Sequence, residues 1–152
     1  MSPNRISKRI VAERLDWIEK MVKEISALPL KDYKSFPAER RNVWAAESCL
    51  RRGLEALMDL GIHVAAKGFG KGITEYKEIG SVLKDGGVFD DEICILFQTL
   101  AGYRNRMVHF YNEISDEELF EICSCQLTDI PETAAVIRDW IHCHPEMMHE
   151  IL

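Results

Sequence analysis

Between Val11 and Ile25 the apolar residues return at intervals of four and three: Val11, Leu15, Ile18, Val22 and Ile25. That period draws one apolar seam along a helix, whereas the side chains of a half-buried strand alternate every two residues. The same spacing returns through Val43, Ala46, Leu50, Leu54, Leu57 and Gly61, and again through Ile93, Leu96 or Phe97, Leu100, Tyr103 and Met107. No segment carries a comparable strand pattern. Helices apolar on one side bury their seams by packing against one another. The expected fold is all-α, an up-down four-helix bundle with an additional short helix in one crossover.

Punctuation in the sequence divides the elements. Leu28-Pro29-Leu30 ends the first helix, and Pro37 suits the first turn of the second. Glycines at 68, 70 and 72 interrupt the second pattern; they are a loop, because no strand precedes them as a nucleotide fingerprint requires. A short third helix is expected from Thr74 to the turn signal Asp85-Gly86-Gly87. Asp90 suits the N-cap of the fourth. Ser115-Asp116-Glu117-Glu118 has capping-box spacing, with Ile114 and Leu119 at staple positions, so a fifth helix starts there. It continues through Ile122, Cys123, Leu127, Ile130, Ile137 and Trp140, and Pro131 should kink or restart it. The 152 residues amount to one domain over 1–152, with its core at about 5–140 and a loosely attached tail at 142–152.

Several classes of function are disfavoured. The first ten residues lack the apolar core of a signal peptide, and no apolar run approaches a membrane span, so a cytoplasmic protein is expected. A net charge of −6 and a sequence pI of 5.4 exclude a generally basic nucleic-acid binder. Any RNA contact must use a local basic patch. Five cysteines, at 49, 94, 123, 125 and 143, are an odd number in mostly apolar helical surroundings, which reads as reduced, buried thiols. His142-Cys143-His144 and His149, with Cys123 and Cys125, match no standard zinc spacing, so no metal site is expected.

The end of the fourth helix is chemically dense. Arg104, Asn105, Arg106, His109 and Tyr111 lie within eight residues and supply a fixed cation, an amide, an imidazole and a phenol. An ordinary helix C-terminus also accounts for the Arg and His residues, because cations sit well against its carbonyl end. Helical spacing puts Asn105 and His109 on one face and Arg104 roughly 140° away from His109. Arg104 and His109 meet if the long Arg side chain bends round or if the helix ends near Val108. A two-fold dimer packing this helix on its copy would place two such sets in one cleft.

This segment resembles the Arg-x₄-His-x-Tyr motif of the HEPN superfamily, in the HepT branch that is paired with a minimal nucleotidyltransferase antitoxin. The surrounding GYRNRMVHFYNEI fits that branch, as do the stretch from Arg41 to Gly70 and the helix from Tyr76 to Gly87. The resemblance covers roughly residues 5 to 140. It implies a HEPN-like homodimer that cuts RNA without a metal ion or other cofactor and has no DNA or membrane partner. Arg104 and His109 would then be the catalytic pair, Asn105 a polar supporter, and Tyr111 the residue that the partner enzyme modifies with AMP. The chemistry is reasonable for a ribose 2′-OH attacking the adjacent phosphate. An imidazole moves protons near neutral pH, and a guanidinium stabilises phosphoryl oxygens through two donors. The alternative is a non-catalytic helical accessory subunit of a nucleotidyltransferase, or a family member kept only as a dimeric scaffold.

Arg51, Arg52, Lys67 and Lys71, with Arg106, could widen a basic RNA groove, although solvated helix faces carry such charges without any function. His63 is expected to be structural or exposed. Trp17, Trp44 and Trp140 lie beside apolar seams and are expected to pack rather than to stack on bases.

Overall fold

The computed structural model describes residues 5–109 and 114–148. Among these residues there are seven α-helices: α1 (Lys8–Ser26), α2 (Ser35–Ala38), α3 (Arg40–Phe69), α4 (Tyr76–Asp85), α5 (Asp91–His109), α6 (Asp116–Cys125) and α7 (Asp129–Cys143), followed by a 3-10 turn at Pro145–Met147. No strand forms among them; one isolated bridge joins Ile6 to Met148. The all-α expectation holds. None of the described helices is long and apolar enough to cross a membrane.

The central member is α3, whose 30 residues extend about 45 Å at the helical rise. Its seam of Val43, Ala46, Leu50, Leu54, Leu57 and Gly61 is buried as the spacing predicts. α1 lies antiparallel along it. Near one end the Ser7 amide donates to His63 Nε2 at 2.9 Å, and midway Arg14 Nε stands 3.6 Å from Asp59 Oδ2. α5 and the α6–α7 pair complete the bundle, and α4 occupies the crossover between α3 and α5, packing on both.

Gly61 governs how closely α4 and α5 approach α3. A Cβ there would fall 2.6 Å from Ile79 Cγ2 and 3.1 Å from Phe97 Cζ, two fully buried side chains. Only a residue without a side chain leaves room for both. α3 ends at Gly70 in the left-handed region (φ 66°), the conformation that terminates helices most cheaply at glycine.

The predicted caps form, with differences in detail. Asp90 Oδ1 accepts from the Ile93 amide at 2.8 Å, and Ser115 Oγ accepts from the Glu118 amide at 3.1 Å. The Glu118 carboxylate does not close a capping box. It takes the Arg106 guanidinium through two bonds of 2.8 and 2.7 Å, and that bond holds the Glu118 carboxyl below its usual range. α4 begins at Tyr76 rather than Thr74, under a capping box formed by Glu75 and Glu78.

Three expectations need correction. Pro37 lies in the separate four-residue helix α2, not in the first turn of α3, which starts at Arg40. The restart expected at Pro131 does occur: α6 ends at Cys125 and α7 begins at Asp129, with Pro131 in its first turn where no amide partner is required. Trp44 is 62% exposed and Trp17 37%, so only Trp140 packs, against Phe69 and face to face with His144. Residues up to Met148 are tied down, because the Ile6 amide donates to Met147 O at 2.9 Å and Met147 and Met148 rest on the core. Contacts between segments so distant in the chain leave no local pattern. The cysteines are unpaired, with Cys94 and Cys123 buried, Cys49 half-buried, and Cys125 and Cys143 exposed. Burial pushes the Cys123 thiol up to about 12.

Candidate active site

The buried stripe of α5, Cys94, Phe97, Leu100 and Ala101, fixes the rotation of the helix and sends Arg104 toward α3 and α4. Arg104 Nε and NH2 both donate to Glu55 Oε2, at 3.2 and 2.9 Å. The guanidinium also lies over the Tyr76 ring, 4.8 Å from its centroid. These contacts hold one edge of the guanidinium on α3 and one face on α4, while NH1 approaches Asn105 Oδ1 at 3.4 Å. A guanidinium over an aromatic face is held by the ring quadrupole as well as by packing. Burial raises the Tyr76 phenol, opposed by the Arg104 charge beside it.

Arg104, Asn105 and His109 line one open cleft of about 540 Å³, whose other wall is the segment Thr74–Lys77. α5 runs helically through His109, so an early helix end does not unite these residues. They border the same cleft: the Arg104 side chain reaches from α5 to Glu55 on α3 and the Tyr76 ring on α4, and His109 is exposed at the helix terminus. Tyr111 lies outside the described residues.

The other sequence candidates divide. Arg106 pairs with Glu118. Arg51 NH1 donates to Glu55 Oε1 at 3.0 Å, so one carboxylate serves Arg51 and Arg104 together. Arg51 and Arg52 line a second cleft on the α1 side of Glu55. Lys67, in the last turn of α3, and Lys71, just past its cap, are exposed and line neither cleft. His63 is structural. It accepts the Ser7 amide, and its burial, with the Lys67 and Arg14 charges adding, lowers its pKa. No three His, Cys, Asp or Glu side chains among the described residues gather to hold a metal ion, and His149 lies outside them.

Glu55 and Tyr76 escape sequence reasoning. The Arg51/Glu55 spacing signals an i,i+4 pair, but nothing local links Glu55 to a residue 49 positions away. Tyr76 opens a short helix and carries no motif of its own.

The family model described as "Ribonuclease HepT-like" matches residues 11–137. No curated protein matches the sequence. Among solved structures, the chain is similar to one from the complex of the tri-AMPylated Shewanella oneidensis HEPN toxin with its MNT antitoxin. The identity is 18% and the TM-score 0.76, over 86% of this chain and 97% of that one. A chain from a toxin–antitoxin structure with AMP-PNP is also 18% identical, with a TM-score of 0.75 over 84% and 97%. YutE from Bacillus subtilis, described as a cytosolic protein of unknown function, reaches 0.75 at 18% identity over 92% and 94%.

Proposed function

Because the chain belongs to the HepT-like ribonuclease family, we propose that it is a metal-independent endoribonuclease toxin, held in check by a cognate minimal nucleotidyltransferase. The observation that carries the proposal is the placement of Arg104, Asn105 and His109 on one open cleft, with Arg104 braced by Glu55 and Tyr76. A fixed cation beside a proton-transfer group suits a phosphodiester whose neighbouring 2′-OH is the nucleophile.

In this reading the 2′-oxygen attacks phosphorus and its proton passes to the neutral imidazole of His109. The P–O5′ bond breaks as the imidazolium protonates the departing 5′-oxygen, leaving a 2′,3′-cyclic phosphate. Arg104 meets the developing charge on the phosphoryl oxygens, and Asn105 supports it. Silencing follows from AMP transfer. The Tyr111 hydroxyl, two residues beyond His109, attacks the α-phosphorus of ATP on the partner enzyme, pyrophosphate leaves, and the phenolic proton is lost. The attached phosphate would compete for Arg104, in the manner of other charge-adding modifications. The full chain, 1–152, acts in this reading as one domain in a homodimer, which supplies two such clefts.

Purified protein incubated with total RNA in EDTA should release fragments ending in 2′,3′-cyclic phosphate, and the Arg104→Ala and His109→Ala proteins should not. Undiminished cleavage by both variants would overturn the site. Intact mass after co-expression with the partner should rise by whole AMP increments, and Tyr111→Phe should abolish the first of them.

A further inference from the structure

The cleft on the far side of Glu55 is not explained by the reaction at Arg104. It measures about 460 Å³ and lies between α1 and α3. Its walls carry three guanidinium groups, Arg14, Arg51 and Arg52, against two carboxylates, Glu55 and Asp59, with the Trp17 ring at its edge. In a chain of net charge −6 this is a local excess of cation beside an exposed aromatic, the combination that single-stranded nucleic acid uses.

The polar groups there are incompletely engaged. Arg14 Nε is shielded from solvent yet has no hydrogen-bond partner, its nearest carboxylate oxygen standing 3.6 Å away on Asp59. Arg52 is exposed and has no carboxylate within ion-pair distance among the described residues. Trp17 is 37% exposed, with the Lys20 ammonium over its ring 5.5 Å from the centroid, a cation that a stacked base would displace or leave on the opposite face. Glu55 lines this cleft and also holds the Arg104 guanidinium that lines the other, one carboxylate oxygen facing Arg51 and the second Arg104.

We infer that this second cleft is a subsite for a nucleotide of the same RNA strand that is cut at Arg104, with its base on Trp17 and its phosphate on Arg52 and Arg14. The inference rests on the ribonuclease reading for the identity of the strand. The subsite holds and orients substrate, and the chemistry stays at the first cleft. A mononucleotide would satisfy the same groups locally, but only a continuous strand reaches both this cleft and Arg104, which the shared Glu55 carboxylate links to Arg51.

The test is fluorescence anisotropy of a 5′-labelled single-stranded RNA octamer on the full chain carrying His109→Ala, so that binding is read without cleavage. Adding Trp17→Ala should raise Kd about tenfold, as loss of a base–aromatic stack does, and Trp17→Phe should restore most of the affinity. Adding Arg52→Ala should raise Kd and reduce the salt slope by about 0.7, one phosphate contact to a single strand. Circular dichroism confirms that each exposed-residue variant is folded. An octamer Kd unmoved by Trp17→Ala and Arg52→Ala, but raised by Arg104→Ala, overturns the subsite and leaves the ribonuclease reading standing. Displacement of the octamer by ATP at equal concentration overturns it too, since the cleft would then be a mononucleotide site. RNA that neither binds nor is cut by the unmutated chain defeats the ribonuclease reading itself, and the subsite with it.

Discussion

Replacing Glu55 by glutamine keeps the shape of the side chain and one acceptor oxygen but removes the charge that Arg51 and Arg104 share. The Arg104 and Glu55 side chains are 17% and 28% exposed, so their pair is sheltered without being dry. Hydrogen bonds to charged groups contribute about 1.5–3 kcal/mol when sheltered, and exposed pairs about 0–1 kcal/mol. The Arg104 pair belongs near the lower end of the first range. The Arg51 pair, 36% and 28% exposed, adds about 0.3–0.5 kcal/mol as an i,i+4 contact. With one acceptor retained, Glu55→Gln should cost about 1 kcal/mol, a fall in Tm of about 2–4 °C for a chain of this size. The effect on cleavage should be larger. A guanidinium no longer fixed along one edge is displaced relative to the phosphate, and misplacement of about an ångström costs on the order of a hundredfold in rate. Steady-state cleavage of a defined RNA in EDTA should show kcat lowered by about ten- to a hundredfold with KM nearly unchanged, and Glu55→Asp should recover part of it. A Glu55→Gln protein with raised kcat and lowered KM would overturn this role, because Glu55 would then be competing with the substrate phosphate rather than placing Arg104.

Two further outcomes follow from the fold. Gly61→Ala puts a methyl 2.6 Å from Ile79 Cγ2; overpacking of about 1–3 kcal/mol outweighs a helix-propensity gain of about 1 kcal/mol, so urea titration should show a lower midpoint with an unchanged slope. His63 is held neutral in the fold, with its pKa below the unfolded value of 6.5. Its contribution is therefore complete above that value and is lost as pH falls through it toward the folded pKa. Tm should drop between pH 7.5 and 5.5, and His63→Gln, which keeps an acceptor for the Ser7 amide but does not titrate, should show a smaller drop than the unmutated chain.

The long helices were legible because each buries one seam. Val43 to Gly61 repeats at helical spacing, and every member is buried. The caps at Asp90 and Ser115 were legible because an N-cap is a local contact three residues long. What the sequence concealed are contacts between elements. Glu118 has capping-box spacing, yet its carboxylate is taken by Arg106 from another helix. Trp44 sits beside the seam of α3 by spacing but one step off its buried face, which leaves it exposed. Angular separation kept Arg104 and His109 apart on paper, and only the position of Glu55 on α3 shows which way the Arg104 side chain reaches. Of the basic residues noted, charge alone could not separate Arg51 and Arg52, which line a cleft, from Lys67 and Lys71, which do not.

The sharing of Glu55 makes the routes by which such a chain can change unequal. Substituting Arg104 leaves Glu55 with Arg51 still in reach, so the carboxylate keeps a counter-ion and the helices keep their packing. Substituting Glu55 strands two guanidinium groups at once. On the function proposed above, chains that lose the Arg104 cation can therefore persist as folded, silent copies, whereas those that lose the carboxylate leave both Arg51 and Arg104 without their shared counter-ion. Silent relatives should accordingly carry Glu55 with Arg104 replaced far more often than the reverse.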